Sequence, residues 1–499
     1  MRRIVARSWP IWVIGLGFYL PVAITFFNDA RMGSWAEAFS STWAAIPLFF
    51  STALLALASA FLATFIGAVD ALLYSAFRQP RGAWLWLLPC LLLTFTTPPA
   101  AIASAIQSAF GSTMLIGGFR DEFGTVLLLT LRWAPVAFLV LAGLTITIPH
   151  SQELALRQLP PKTALRLRWQ LQAPWRRACF FLLFLLMLPA AEIPSYTGVE
   201  TISRRIMARL TIGDGLSGWL LALGLALLLV PIIVYWFPSQ RLLGRSFQVR
   251  DPHGLPRSNW LLPWWLLRLI PVVALISVLW VTALPQASET EAASREFLGA
   301  LWDGLSELPR GIIVVVLPTL ACWSLVSQQR TRALLLWCMP TFLPVSLIAL
   351  ALASSVRPWL PAALDSFPLL LSIAQMIQLG ALAVIVGILS LRMIPKHELQ
   401  SAQLLPPGWS RWKVLFPRSL PVLLPAAILG MLLILGEVQS TLILAPPGHP
   451  SPALELHQLL HFRNDEQAAR LALALVVISL LWTLLFSWPI RGKGDSDGK

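Results

Sequence analysis

The residues best suited to chemistry in this 499-residue chain are a few charged groups inside otherwise apolar stretches. Glu192 and Glu437 each lie late in such a stretch, and Asp70 and Arg132 lie inside two others. A carboxylate in lipid is costly, so it is expected to face protein or a water-filled cavity. Glu192, Glu437 and the nearby Gln439 are therefore candidates to line a path between helices. The alternative is that the two carboxylates are solvated at the outer interface or cap a backbone turn.

The other polar residues in apolar stretches give weaker signals. Asp70 lies close to a cytoplasmic end, which favours solvation at the interface, and Arg132 requires a carboxylate partner that the sequence does not identify. His457 and His461 are spaced so that one helical face could hold both. Without a carboxylate or cysteine in register, surface histidines in an outer loop are favoured over a metal site.

Catalytic signatures are missing from the sequence. No glycine-rich phosphate loop ending in Gly-Lys-Ser or Gly-Lys-Thr occurs, so any work driven by ATP must come from a separate subunit. The four cysteines lie in or beside apolar stretches without metal-ligand spacing. We therefore expect no enzymatic activity, no metal site and no cofactor.

Composition indicates an all-α membrane protein. Hydrophobic residues make up 57% of the chain and charged residues only 12%, whereas soluble domains carry roughly a quarter charged residues. The apolar stretches approach the ~20 residues that a helix needs to cross a bilayer. About twelve spans are predicted, near residues 9–27, 45–66, 83–104, 124–148, 178–195, 215–237, 263–285, 310–328, 333–354, 366–391, 422–442 and 466–490.

The distribution of basic residues predicts the orientation. The net charge is +14, and most of the 37 Lys and Arg residues lie in loops that are on one side if both termini are inside. The loops on the other side are acidic, for example over residues 286–309. Because cytoplasmic loops hold the excess of Lys and Arg, both termini are predicted to be cytoplasmic. This pattern accounts for the positive charge without nucleic-acid binding.

An internal repeat divides the chain. The Leu-Pro-Pro sequence of residues 159–161 recurs 246 residues later at 405–407, and the segment 191–194 recurs in modified form at 436–439. An even number of predicted spans separates the copies, so the two six-helix halves are expected to be parallel. On this comparison Glu192 corresponds to Glu437.

Two predicted cytoplasmic loops have the same design. Each begins with a short amphipathic segment, turns at a Pro-Pro pair and continues as a basic apolar segment, because a Pro-Pro pair ends a helix. Residues 165–172 alternate with a period of two, but a lone strand there would have no sheet to join, so a helix is favoured. The loops are either interfacial segments resting on lipid headgroups or docking elements for a two-fold cytoplasmic partner.

These loops resemble the EAA loops of binding-protein-dependent ABC importers, and residues 435–448 are similar to fused permeases of the ferric-iron and thiamine type. The motif's Glu-Ala-Ala is degraded here, and a proline stands in place of its glycine. The resemblance implies that each loop couples to a separate ATPase subunit. The coupling residues that it implies are Glu153, Leu159, Pro160, Pro161, Glu398, Ala402, Leu404, Leu405, Pro406, Pro407 and Gly408.

The expected protein is thus a multi-pass permease subunit in a bacterial inner membrane that transports a small solute, with ferric iron as the first expectation. Its partners would be a cytoplasmic ABC ATPase dimer, a periplasmic solute-binding protein and membrane lipid. An ion-coupled twelve-helix secondary transporter is the alternative. The expected organisation is a first helix and outer loop (1–44), a permease domain (45–237), a cytoplasmic linker (238–262), a helix with an acidic outer loop (263–309), a second permease domain (310–490) and a cytoplasmic tail (491–499).

Reporter fusions test this topology. Fusions within residues 150–175, 240–260 and 395–420 are expected to report a cytoplasmic location, because basic residues are retained on that side. A periplasmic signal from any of the three would contradict the twelve-span arrangement.

Overall fold

The described part of the chain is about 90% helical and contains no strand. The structure is a computed structural model. It describes residues 10–76, 92–95, 97–110, 121–145, 155–156, 158–212, 215–236, 261–283, 290–327, 331–361, 368–392, 394, 396–405, 409–446, 451–462 and 465–487. The helical prediction from the apolar stretches is therefore confirmed over these residues.

Among the described residues, ten helices precede the predicted linker, apart from short helical segments at 92–95 and 155–156. The first contains a short π-helical segment at Gly15–Tyr19. In order they are α1 (Pro10–Met32), α2 (Trp35–Ala44), α3 (Ile46–Ala76), α4 (Pro99–Phe110), α5 (Glu122–Thr145), α6 (Pro161–Leu171), α7 (Ala173–Met187), α8 (Glu192–Thr197), α9 (Ile202–Ile212) and α10 (Gly215–Trp236).

The remaining described helices follow the linker. Short 3₁₀ turns lie at Met339–Phe342 and Arg357–Trp359. In order the helices are α11 (Leu261–Ala283), α12 (Thr290–Ser306), α13 (Leu308–Ser327), α14 (Thr331–Cys338), α15 (Val345–Ser355), α16 (Leu369–Gln378), α17 (Gly380–Arg392), α18 (Lys396–Leu404), α19 (Trp409–Leu435), α20 (Gln439–Leu444), α21 (Pro452–His461) and α22 (Asp465–Ser487).

Within the described residues, six helices are long and apolar enough to cross a membrane, or nine if each of three bent pairs forms one span. The chain is therefore a multi-pass membrane protein, while the count of twelve stays a prediction. Part of the predicted span 83–104 lies outside the described residues.

Two predicted spans are not straight helices, and a bend lies just before a third. The stretch predicted as one span at 333–354 bends by 101° between its two helical parts, where Pro344 precedes α15. The pair α16 and α17 bends by 57°, and α19 bends by 61° at Pro421. Proline removes a backbone donor and clashes with the preceding turn, so Pro344 and Pro421 each favour a break. Such breaks are tolerated at membrane depth where neighbouring protein satisfies the freed groups.

The internal repeat is visible in the packing. In the first half α3, α5 and α7 pack against one another, and in the second half α13, α17 and α19 do the same. Gly67 permits the closest approach in the first group, because an added Cβ would lie 2.4 Å from Ala137 Cβ. Each group comprises the predicted second, fourth and fifth spans of its half.

The first helix of each half also packs against the other half. Helix α1 contacts α15, with Thr25 Oγ1 3.0 Å from Ser354 Oγ, and Tyr19 donates a hydrogen bond to the Leu336 carbonyl at 3.1 Å. In the same way α11 contacts α4 of the first half. The two halves are therefore interlocked by an exchange of equivalent helices.

Asp70 is part of this interlock, and its expected solvation at the interface is wrong. Its side chain is fully buried, forms an ion pair with Arg268 of α11 at 3.2 Å and accepts a hydrogen bond from Trp264 Nε1 at 2.7 Å. This contact could not be predicted from local sequence because the partners lie 194 and 198 residues away. A buried carboxylate requires such compensation, and here it joins the two halves.

Removing the Asp70 charge should weaken the fold. We expect Asp70→Asn to lower stability by about 3–5 kcal/mol, because Arg268 is left buried without its counter-charge. The control is Glu200→Gln, which breaks an ion pair with Arg205 in which Glu200 is 54% exposed. Such a solvated pair is worth at most about 1 kcal/mol. Melting of the detergent-solubilised variants measures both, and equal losses would contradict the assignment of Asp70.

Candidate functional site

The candidate site lies where each half interrupts a membrane helix. Helix α7 ends at Met187 and α8 begins at Glu192, while α19 ends at Leu435 and α20 begins at Gln439. The two breaks have the same backbone hydrogen bonds. The Ala190 N–H donates to the Met187 carbonyl, and the Glu437 N–H donates to the Ile434 carbonyl, both at 3.1 Å.

These hydrogen bonds correct the register of the repeat. They relate the breaks by 247 residues, so Glu192 corresponds to Gln439 and Glu437 corresponds to Ala190. The pairing of Glu192 with Glu437 predicted from residue types is therefore wrong by two positions. That alignment matched two acidic residues by type. The backbone hydrogen bonds instead align the first residues of the short helices α8 and α20.

The carboxylate of Glu192 joins the two breaks. Its Oε1 accepts a hydrogen bond from the Val438 N–H of the other half at 3.3 Å. Its Oε2 lies 3.6 Å from Arg132 Nη1, and both side chains are largely buried. This pair supplies the partner for Arg132 that the sequence left unidentified. The contact also satisfies a backbone donor that the helix break frees.

The carboxylate of Glu437 stays within its own break. It is 5% exposed, accepts hydrogen bonds from the Ser440 N–H at 3.0 Å and also contacts the Ser440 hydroxyl. It thereby caps the start of α20, as acidic residues do at helix N-termini. The capping role considered for the carboxylates thus applies to Glu437.

A cavity of about 140 Å³ lies between the halves at these breaks. Its walls come from α5, α7 and α8 of the first half and from the 3₁₀ turn, α15, α16, α17, α19 and α20 of the second. Apolar residues form most of the lining. The polar and charged lining residues are Arg132, Glu192, Thr341, Gln378, Glu437 and Gln439.

The structure thus places the three predicted path residues, Glu192, Glu437 and Gln439, around one cavity. Sequence reasoning missed Thr341 and Gln378. They lie in spans without an acidic residue, and only the bends beside them bring them to the cavity. The arrangement can accommodate a small polar solute between mixed charges, because pockets of this kind combine apolar walls with a few polar groups.

A second contact joins the halves beside the cavity. The Tyr196 hydroxyl lies 3.1 Å from His457 Nδ1, and burial together with the neighbouring His461 lowers the pKa of His457. His457 is therefore partly buried against Tyr196 rather than a surface residue, whereas His461 is exposed as expected. No group of three or more metal-ligating residues occurs among the described residues.

The two predicted docking loops have matching turns. The Leu159 N–H donates to the Leu156 carbonyl at 3.4 Å, and the Leu405 N–H donates to the Ala402 carbonyl at 3.3 Å. Leu156 and Ala402 are buried, while Leu159 and Leu405 are half-buried. Of the predicted coupling residues, Glu153, Pro406, Pro407 and Gly408 lie outside the described residues.

The described residues on either side of both turns are helical, as predicted. The segment 165–172 with its alternating pattern is helical through Leu171, so the preference for a helix there is confirmed. Trp169 packs against Phe65 of α3, with ring centroids 6.2 Å apart. In the second loop Glu398 of α18 forms an ion pair with Arg418 of α19 at 3.2 Å. These contacts pack α6, which follows the first turn, against α3, and pair α18, which precedes the second turn, with α19.

Comparison with protein-family models, with curated proteins and with solved structures found no match.

Thiol labelling tests whether the cavity contains water. Gln439→Cys, in a chain whose four native cysteines are replaced by alanine, should react with a small water-soluble thiol reagent because the side chain lines the cavity. Leu475→Cys is the control, since Leu475 lies within α22, is 1% exposed and should stay protected. Equal protection of both thiols would contradict a water-filled cavity.

Proposed function

We propose that this chain is the membrane-spanning permease subunit of a binding-protein-dependent ABC importer with two fused permease domains in a bacterial inner membrane. It would carry a small solute and rely on a separate ATPase. The observation that carries the proposal is the pair of matched turns, one in each half of an interlocked repeat. A two-fold cytoplasmic partner requires two equivalent docking sites, and this chain supplies both in one polypeptide.

The cavity supports a translocation path between the halves. It lies at two helix breaks and is lined by charged and amide side chains from both halves. Polar groups at membrane depth typically mark substrate pathways, and unwound segments between half-helices are common at transport sites. Rocking of one half against the other would open the cavity to alternate sides, at the expense of the contact between Glu192 and Val438.

The cavity would need few ligands because two other proteins would select the solute and supply the energy. A periplasmic binding protein would select the solute, and the ATPase dimer would supply the energy through the two turns. Ferric iron remains the first expected solute from the resemblance, with thiamine and small anions next. Membrane lipid surrounds the chain, and no nucleic-acid partner is proposed.

An ion-coupled secondary transporter is the second candidate, and one observation favours it. Arg132, Glu192 and Glu437 form a buried charged cluster at a cavity, which is the arrangement that proton-coupled carriers use. This candidate offers no reason for the matched turns, so we rank it second.

Reconstitution separates the two candidates. The purified chain should neither bind nor hydrolyse ATP, because it lacks a phosphate loop. With an ATPase co-purified from its own membranes and with the binding protein, hydrolysis should rise when the binding protein is loaded. Concentrative uptake by the chain alone under a proton gradient would instead establish the carrier.

A further inference from the structure

The two turns are equivalent in backbone but differ at one exposed position. The hydrogen bond that closes each turn relates them by 246 residues, from Leu156 and Leu159 to Ala402 and Leu405. In this register Gln158 corresponds to Leu404. Both side chains are exposed, so each half presents a different group at the same place.

Leu404 is highly exposed. Its relative exposure is 88%, whereas Ala402 two residues earlier is 1% exposed and Leu405 is half-buried. At the predicted cytoplasmic position of this turn, an uncovered apolar side chain forgoes the free energy that burial would give, so Leu404 suits a partner that covers it. Gln158 at the equivalent position gains little from burial unless its amide finds hydrogen-bond partners.

Helix α18, which ends at Leu404, packs against α19. Helix α18 begins with the ion pair between Glu398 and Arg418 and is anchored by the buried Ala402. Leu404 is the last residue of this helix, beyond the anchored face. A helix that is already packed loses less entropy on docking than an unpacked segment would, which favours insertion of Leu404 in a protein pocket.

We infer that the two turns hold the ATPase dimer unequally, with the second turn contributing most of the affinity through Leu404 inserted in an apolar pocket. This inference rests on the proposed function, because it needs an ATPase partner. Two identical ATPase subunits would offer identical pockets, of which one receives leucine and the other glutamine. The dimer would then be anchored mainly at the second half.

Exchange of the two side chains tests this asymmetry. The full-length chain carrying Leu404→Gln, Gln158→Leu or both is compared with wild type for binding of the co-purified ATPase, at matched membrane abundance. We expect Leu404→Gln to weaken binding at least about tenfold, the factor that burial of one leucine supports. Gln158→Leu should strengthen binding, and the double exchange should return it to within about threefold of wild type, since the pockets are identical.

Leu171→Gln is the matched control. Leu171 is 43% exposed at the end of α6, away from the turn, so the same change of leucine to an amide should leave ATPase binding unaltered. Equal losses from Leu404→Gln and Leu171→Gln would indicate general contact with lipid and overturn the inference. Unchanged binding by Leu404→Gln, or a double exchange as weak as Leu404→Gln alone, would also overturn it.

The same experiment distinguishes failure of the proposed function from failure of the asymmetry. If wild type binds no ATPase under these conditions, the importer proposal is refuted and the asymmetry with it. If wild type binds the ATPase and the exchange variants do not differ from it, the importer proposal stands and only the asymmetry is refuted.

Discussion

A helix that breaks inside a membrane must find new partners for its backbone groups, and the rest of this structure depends on how it does so. Here the two breaks, at residues 188–191 and 436–438, are brought together between the halves. Glu192 accepts the N–H of Val438 across the interface, and Glu437 accepts the N–H of Ser440 within its own break. Each unsatisfied group in lipid would cost several kcal/mol, so the carboxylates are required by the breaks themselves.

The same constraint explains the cavity. A straight helix would fill the space between the halves with side chains, whereas two interrupted helices leave a gap with polar walls. Arg132 balances one of the two carboxylates at 3.6 Å, and amide groups complete the lining. Under the proposed function, the residues that satisfy the breaks would also line the solute path, so a capping role and a path role are not exclusive for Glu437.

Features that depend on neighbouring residues could be predicted from the sequence. Apolar length predicted the helical membrane class, and the Pro-Pro pair predicted the helical turns, because both depend on neighbouring residues. The bends at Pro344 and Pro421 could have been anticipated from proline, but their angles depend on packing. The partner of Asp70 and the register of Glu192 could not be predicted, since they are set by contacts between residues roughly two hundred or more positions apart.

The exchanged helices have a consequence for biogenesis. Thr25 of α1 contacts Ala351, 326 residues further along the chain. At synthesis rates of about 5–20 residues per second, the first helix waits on the order of 15–65 s before its partner leaves the ribosome. During that interval the hydroxyl groups of Tyr19 and Thr25 lack the second half that they contact in the finished protein. The nascent first half is thus an incomplete folding unit, and the half synthesised later supplies its missing contacts.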